Sequence, residues 1–139
     1  MRTVLVVAAV VVENGRVLVT QRKAGTHLAG AWEFPGGKLL PGEDPRVGLH
    51  RELREELGIE TTIGEIVDVT FHEYPEADKA VLLMFFEAQR TASSGAPEAL
   101  DVAAFAWFTS PELDPERFPP ADVAVLRKVK RKAKKRLKD

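Results

Sequence analysis

The stretch from Asp44 to Gly58 carries the signals of one complete helix. Asp44 suits the N-cap, Pro45 suits the first helical position, and Gly58 suits a left-handed stop. The spacing predicts a helix over Pro45–Leu57, anchored on a sheet by the stripe of Leu49, Leu53 and Leu57. Glu52, Glu55 and Glu56 stand at i, i+3 and i+4 and share one face. Three like charges there repel, so the placement does nothing for an isolated helix. Two explanations compete: a solvated acidic face, or a site for divalent cations. Ligands that are all oxygen favour magnesium or manganese over zinc or copper. Gly48 falls among the glutamates and is expected to leave space for ions or phosphates. Arg51 is placed to pair with Glu55 at i+4.

Val4–Val12 is the longest apolar run, far too short to span a bilayer. No small-residue cleavage site follows it, which argues against a secretion signal. Asn14-Gly15 follows instead, a strong hairpin turn. The pattern predicts strands over Thr3–Val12 and Arg16–Arg22, then loops from Gly25 to Pro45 with one extended piece at Trp32–Phe34. Further strands are predicted near Thr61–His72, Ala80–Ala88 and Ala103–Phe108, and a last helix after Phe118-Pro119-Pro120. A chain of 139 residues suits one domain, residues 1–139, of the α/β class with helices packed on a mixed sheet. The absence of cysteine excludes disulfides, thiolate metal sites and a cysteine nucleophile. The expected setting is cytoplasmic, without membrane association, as a monomer or homodimer.

The glutamates belong to a longer pattern. Gly37, Glu43, Arg51, Glu52, Leu53, Glu55, Glu56, Gly58 and Ile59 stand at fixed positions over 23 residues. At average residue frequencies its chance match is roughly one in a billion per start position. The pattern resembles the Nudix box, whose family hydrolyses a nucleoside diphosphate linked to another group. The resemblance implies an α/β/α sandwich on a mixed sheet. It also implies metal ligation by Glu52, Glu55, Glu56 and the Gly36 carbonyl, with magnesium expected and manganese the alternative. Glu52 is then a candidate to activate or orient the attacking water, and Arg51 and Glu43 hold the glutamates in place. A fourth acid ligand is implied on the loop before Trp107; Asp101 is favoured over Glu98.

Gln21-Arg22, Leu28-Ala29-Gly30, Trp32–Lys38 and Phe118-Pro119-Pro120-Ala121 extend the likeness to the MutT-like nucleoside triphosphate pyrophosphohydrolases. Some of these clear oxidised nucleotides. Arg22 and Lys38 thereby become phosphate or nucleotide contacts, with Lys38 also among the catalytic candidates. For Arg22 a solvated strand end is the alternative. Phe34 is either a face for stacking on a base or a core residue. Asp122 departs from the family pattern, which has asparagine there. It is either a helix N-cap or a pocket residue on the stripe of Leu126, Val129, Ala133 and Leu137. An ionised aspartate only accepts hydrogen bonds, which disfavours strict 8-oxoguanine recognition and suits cytosine. Pro75 and Tyr74 are weak markers of ADP-ribose and dinucleoside-polyphosphate branches and are read as a turn proline and a packed tyrosine, with ADP-ribose or another nucleoside-diphosphate derivative as the runner-up substrate.

Residues 127–139 hold nine bases and one acid, against eleven bases and twenty acids in the first 126 residues. Such a tail suggests a rival class, a Nudix-fold RNA- or nucleic-acid-binding protein. No aromatic residue interleaves the bases, and cations at a helix C-terminus complement its dipole. A solvated helix end is therefore expected, one that truncation after Leu126 would remove without loss of hydrolysis. The expected partner is a nucleotide, not a nucleic acid.

Overall fold

The computed structural model describes residues 1–138, with side chains described through residue 135. Leu137 of the predicted apolar stripe and Asp139 of the tail thus lie outside the described side chains. The chain order is β1 (Arg2–Val10), β2 (Val12–Glu13), β3 (Arg16–Gln21), β4 (Trp32–Glu33), β5 (Gly36–Lys38) and α1 (Pro45–Leu57). Then come β6 (Thr61–Tyr74), β7 (Lys79–Arg90), β8 (Ala104–Phe108), α2 (Pro120–Val123) and α3 (Leu126–Lys138). A mixed sheet runs in the order β5-β1-β7-β6, with β1 and β7 parallel and the other pairs antiparallel. A second, antiparallel sheet joins β2, β3 and β4, with β8 on β3.

The predicted first strand is interrupted at Val11, where the chain leaves one sheet for the other. Both sides of this segment are covered, so its residues from Val7 to Val12 are all buried. Val7, Ala9 and Val11 meet Leu49, Leu53 and Leu57 of α1. Ala8, Val10 and Val12 meet Phe85, Phe118, Val125 and Val129 on the opposite side. Continuous apolar sequence is what a strand covered on both faces requires. The result is the expected layering, with α1 on one side and α2 and α3 on the other.

α1 begins and ends where its capping residues dictate. The Asp44 carboxylate accepts from the Arg46 and Val47 N–H groups at 2.9 and 3.3 Å, and Gly58 adopts φ 67°. β5 was not expected from the sequence. Gly36-Gly37-Lys38 has no intrinsic strand preference, but pairs with Ala8, Val7 and Val6 of β1. A Cβ at Gly36 would lie 1.9 Å from the Val7 carbonyl oxygen, so only glycine allows this approach.

The final helix is divided at Ala124-Val125 into α2 and α3. Through residue 135 its basic face is largely exposed, as expected, but its other face is not. Val129 and Ala133 are buried in the core, Lys128 pairs with Asp68 at 3.2 Å, and Lys132 pairs with Glu87. Truncation after Leu126 would therefore remove core residues, which corrects the expectation that the tail is dispensable.

Candidate active site

α1 and β5 bring the expected metal-binding group together. Arg51 is its centre. Its guanidinium donates to Glu43 at 2.8 and 2.9 Å, to Glu52 at 3.0 Å, to Glu55 at 3.1 Å and to the Lys38 carbonyl at 3.2 Å. Four glutamates and one arginine leave a strong excess of negative charge. Glu43 sits at the end of a bidentate pair, and hydrogen bonds from Arg51 and the Leu40 N–H hold its carboxyl down at about 2. The same pair raises Arg51 further above its already high value. Glu43 and Arg51 thus form a fixed charged strut beneath the other carboxylates.

Glu56 has the opposite environment. Burial, then the carboxylates of Glu33 and Glu52, push it up to about 8, opposed by the Gly36 N–H at 3.3 Å. Burial also raises Glu52, although Arg51 opposes the shift. Gly36 turns its N–H away from β1 to Glu56, and the alternation of an antiparallel pair places its carbonyl on the same open edge. A Cβ at Gly37 would lie 2.4 Å from Glu52 Oε2, so the Gly-Gly pair makes the room in which these carboxylates meet the strand.

The donor chemistry fits hard divalent cations, since every group is an oxygen acceptor. Crowded carboxylates without enough matching cations are the arrangement such ions relieve. Among the described residues, no three acids or histidines already stand in ligating geometry. Glu52 and Glu55 are turned onto Arg51, and Glu56 onto the Gly36 N–H. Asp101 is 62% exposed and paired with Lys23 at 2.5 Å. Its backbone N–H and that of Leu100 bond to the Glu56 carbonyl at 3.2 and 3.0 Å, which holds this loop at the end of α1.

Beside the glutamates lies a cavity of about 200 Å³ between the mixed sheet, the Leu28 loop and α2. Glu52, Glu56, Gly36, Gly37, Lys38 and Arg22 line one part, and Phe34, Leu83, Tyr74, Ala121 and Asp122 another. Arg22 reaches the cavity already engaged, with its Nε on the His27 carbonyl at 2.6 Å and Nη1 on both Glu33 oxygens at 3.2 Å. It is therefore not a solvated strand end. Phe34 is 3% exposed and packs edge-on against Phe85 and tilted against Phe118, at 5.8 and 5.6 Å. It is a packed wall of the cavity, which places it with the core alternative of the two expected for it.

Asp122 is 4% exposed and lines the cavity. It does not cap the helix; Pro119 holds that position, and Asp122 lies within the first turn of α2. Its Oδ2 has no hydrogen-bond partner. Burial, reinforced by Glu33, pushes its carboxyl well above the usual range, opposed by the Phe34 N–H and by Arg22. Burial thus favours the protonated carboxyl, a form that donates as well as accepts. Its backbone is held by neighbours: the Ala121 N–H donates to the Tyr74 hydroxyl at 3.1 Å, and Thr70 Oγ1 donates to the Ala121 carbonyl at 2.8 Å. Gly48 is corrected too. The place of its missing side chain is taken by Leu39 and Glu43, within 2.5 and 2.7 Å of an added Cβ, and not by an ion site.

Sequence reasoning missed His27, Glu33, Lys79 and Leu83 as cavity residues. Glu33 sits one residue from Phe34 and was visible only as part of a motif; Lys79 begins a strand far away in sequence and carried no signal.

A family model described as NUDIX domain matches residues 1–129. The chain is 34% identical to the 8-oxo-dGTP diphosphatase of Escherichia coli K12 over 119 residues, 86% of this chain and 89% of that protein. It is 54% identical to the CTP pyrophosphohydrolase of the same organism over 67 residues, 48% of this chain and about half (50%) of that relative's length. Among solved structures, the E. coli ORF135 protein in solution gives a TM-score of 0.73 at 36% identity, covering 91% of this chain and 88% of that one. The MutT Nudix hydrolase of Burkholderia pseudomallei gives 0.80 at 25% identity, covering 91% and 98%. The chain belongs to the Nudix family, as a MutT-like Nudix hydrolase.

Proposed function

We propose that this chain splits nucleoside triphosphates into the monophosphate and pyrophosphate, with magnesium as the cofactor and manganese able to replace it. The observation that carries the reading is one cavity lined by the crowded glutamates and also by a buried, unpartnered carboxyl at Asp122. The first suits a phosphate chain with its metals, and the second suits the edge of a base. The names of the relatives, a CTP pyrophosphohydrolase and an 8-oxo-dGTP diphosphatase, support the same substrate class.

In this reading Glu52, Glu55, Glu56 and the Gly36 carbonyl hold the metal ions, joined by Asp101 once it leaves Lys23. Bound divalent ions neutralise phosphate charge and lower the pKa of a bound water. Arg51 holds Glu52 and Glu55 in place, and Glu43 holds Arg51. Glu52 lies beside Gly37 and would orient the attacking water. Lys38 and Arg22 contact phosphate, with Arg22 kept in position by Glu33. A neutral Asp122 pairs with a base edge that offers one donor and one acceptor side by side. Cytosine and oxidised guanine each present such an edge, so both remain substrates of interest. Pro75 opens a single 3-10 turn (Pro75–Ala77) and is absent from the cavity wall, so nothing there favours ADP-ribose. The experiment is hydrolysis of a nucleotide panel with products resolved by chromatography. Monophosphate and pyrophosphate from triphosphates support the proposal; ribose phosphate and AMP from ADP-ribose, with triphosphates untouched, overturn it.

A further inference from the structure

The cavity wall includes a cation that the glutamate site does not use. Lys79 is the first residue of β7, directly beside Arg2 of β1 in the parallel register, and Lys38 stands beside Val6 of the same strand. Cross-strand partners share a face, and residues two apart on one strand share it too. Arg2, Val4 and Val6 therefore lie on the face that carries Lys79, Val81 and Leu83, with Lys38 alongside. Val4, Val6, Val81 and Leu83 are the apolar floor of the cavity, and Lys79 and Lys38 stand at its rim. Four residues along β1 separate the two lysine rows, roughly 13 Å between backbones, a gap that two long flexible side chains close by leaning toward one ligand.

Among the described residues Lys79 forms no ion pair and no side-chain hydrogen bond, although it is half-buried. Burial, then the positive charges of Lys38, Arg22 and Arg2, make it harder to keep protonated. Half-buried Lys79 stands near exposed Lys38 and Arg2, with Glu76 as its opposing charge, and a bound polyanion relieves the repulsion among the cations. Apolar residues fill the floor between the lysines, so a ligand seated there can reach both.

We infer that Lys79, together with Lys38, forms a binding site for the terminal phosphates of the substrate, the part released as pyrophosphate. Lys79 is thereby a specificity residue that selects triphosphates over shorter nucleotides. This rests on the triphosphate reading above, and it assigns a place for the leaving group that the glutamates and Asp122 do not cover.

The test is Lys79→Gln, compared with Lys79→Arg and the wild type, after thermal melting has shown that both variants fold. KM for the best triphosphate is expected to rise about tenfold in Lys79→Gln, the worth of one charge-assisted contact. Turnover at saturation and the ranking of bases stay as in the wild type, and Lys79→Arg restores KM. Calorimetric binding of inorganic pyrophosphate and tripolyphosphate weakens in parallel, whereas binding of the nucleoside monophosphate does not change. An unchanged KM, an altered base ranking, or an equal loss of monophosphate binding overturns the assignment. Should the wild type hydrolyse no triphosphate, the functional reading fails first. Tripolyphosphate binding that is nonetheless sensitive to Lys79 would still support the anion site, and insensitive binding would overturn it.

Discussion

Arg51 and Asp122 show how the surroundings decide what a charged residue does. Arg51 is in contact with three glutamates, two of which have opposite surroundings: Arg51 keeps Glu43 ionised, while burial raises Glu52 against the pull of Arg51. Glu52→Gln removes a ligand without removing the space it fills. Turnover is expected to fall by at least about a hundredfold, with the melting temperature unchanged or raised, since a crowded carboxylate is gone. Turnover at the wild-type rate would place the reaction elsewhere. Asp122 gives a pH prediction. Its folded pKa lies above its unfolded one, so it contributes fully to stability only below the unfolded value. That contribution is lost as pH rises from the unfolded toward the folded pKa. Asparagine does not titrate, so the melting temperature of Asp122→Asn relative to wild type should climb as pH rises above the ordinary aspartate value of 3.8. A constant difference would show that the carboxyl is not held neutral. Because asparagine also donates and accepts, Asp122→Asn retains turnover, whereas Asp122→Leu loses base selectivity.

At the scale of elements, α1 was legible in the sequence and β5 was not. Asp44, Pro45 and Gly58 act within one turn of their own positions, so local sequence defines both ends of the helix. Gly36-Gly37-Lys38 becomes a strand only because β1 lies beside it, and no local signal can report that. The site divides in the same way. Glu52, Glu55, Glu56, Arg51 and Glu43 are visible in the motif because one helix and its leading loop carry them. Lys79 enters through strand register, and the unpartnered state of Asp122 through packing of α2 on β6. Gly48 was misread because a helical wheel shows which residues neighbour one another but not that Leu39 crosses from the loop. Gly48→Ala is therefore expected to push Glu43 off Arg51, with a loss of about 1–3 kcal/mol by overpacking and a matching fall in activity. Full activity and stability would mean that the loop yields freely. Truncation after Leu126 removes Val129 and Ala133, and should abolish cooperative melting followed by circular dichroism. A truncated chain that melts like the full one would show α3 to be dispensable.

Over the whole molecule, two sheets meet along the β1–β2 segment, with α1 on one side and α2 and α3 on the other. This arrangement carries the glutamates on one layer and the buried Asp122 carboxyl on another, so the cavity exists only when the layers are assembled. The basic C-terminal segment serves that assembly, through buried Val129 and Ala133 and through pairs of Lys128 and Lys132 with the sheet. Exposed pairs of this kind contribute roughly 0–1 kcal/mol each, so the apolar contacts matter more. Among the described residues no helix is long and apolar enough to cross a membrane. The central claim is that one cavity holds a triphosphate by its metals at the glutamates and by its base at Asp122. The most direct measurement is product-resolved hydrolysis by the purified chain, with and without magnesium, of cytosine, guanine and 8-oxoguanine triphosphates beside ADP-ribose. Magnesium-dependent release of monophosphate and pyrophosphate from one or a few triphosphates, with a ranking that Asp122→Leu erases, is the predicted result. Release of single phosphates, or turnover confined to ADP-ribose, would contradict it.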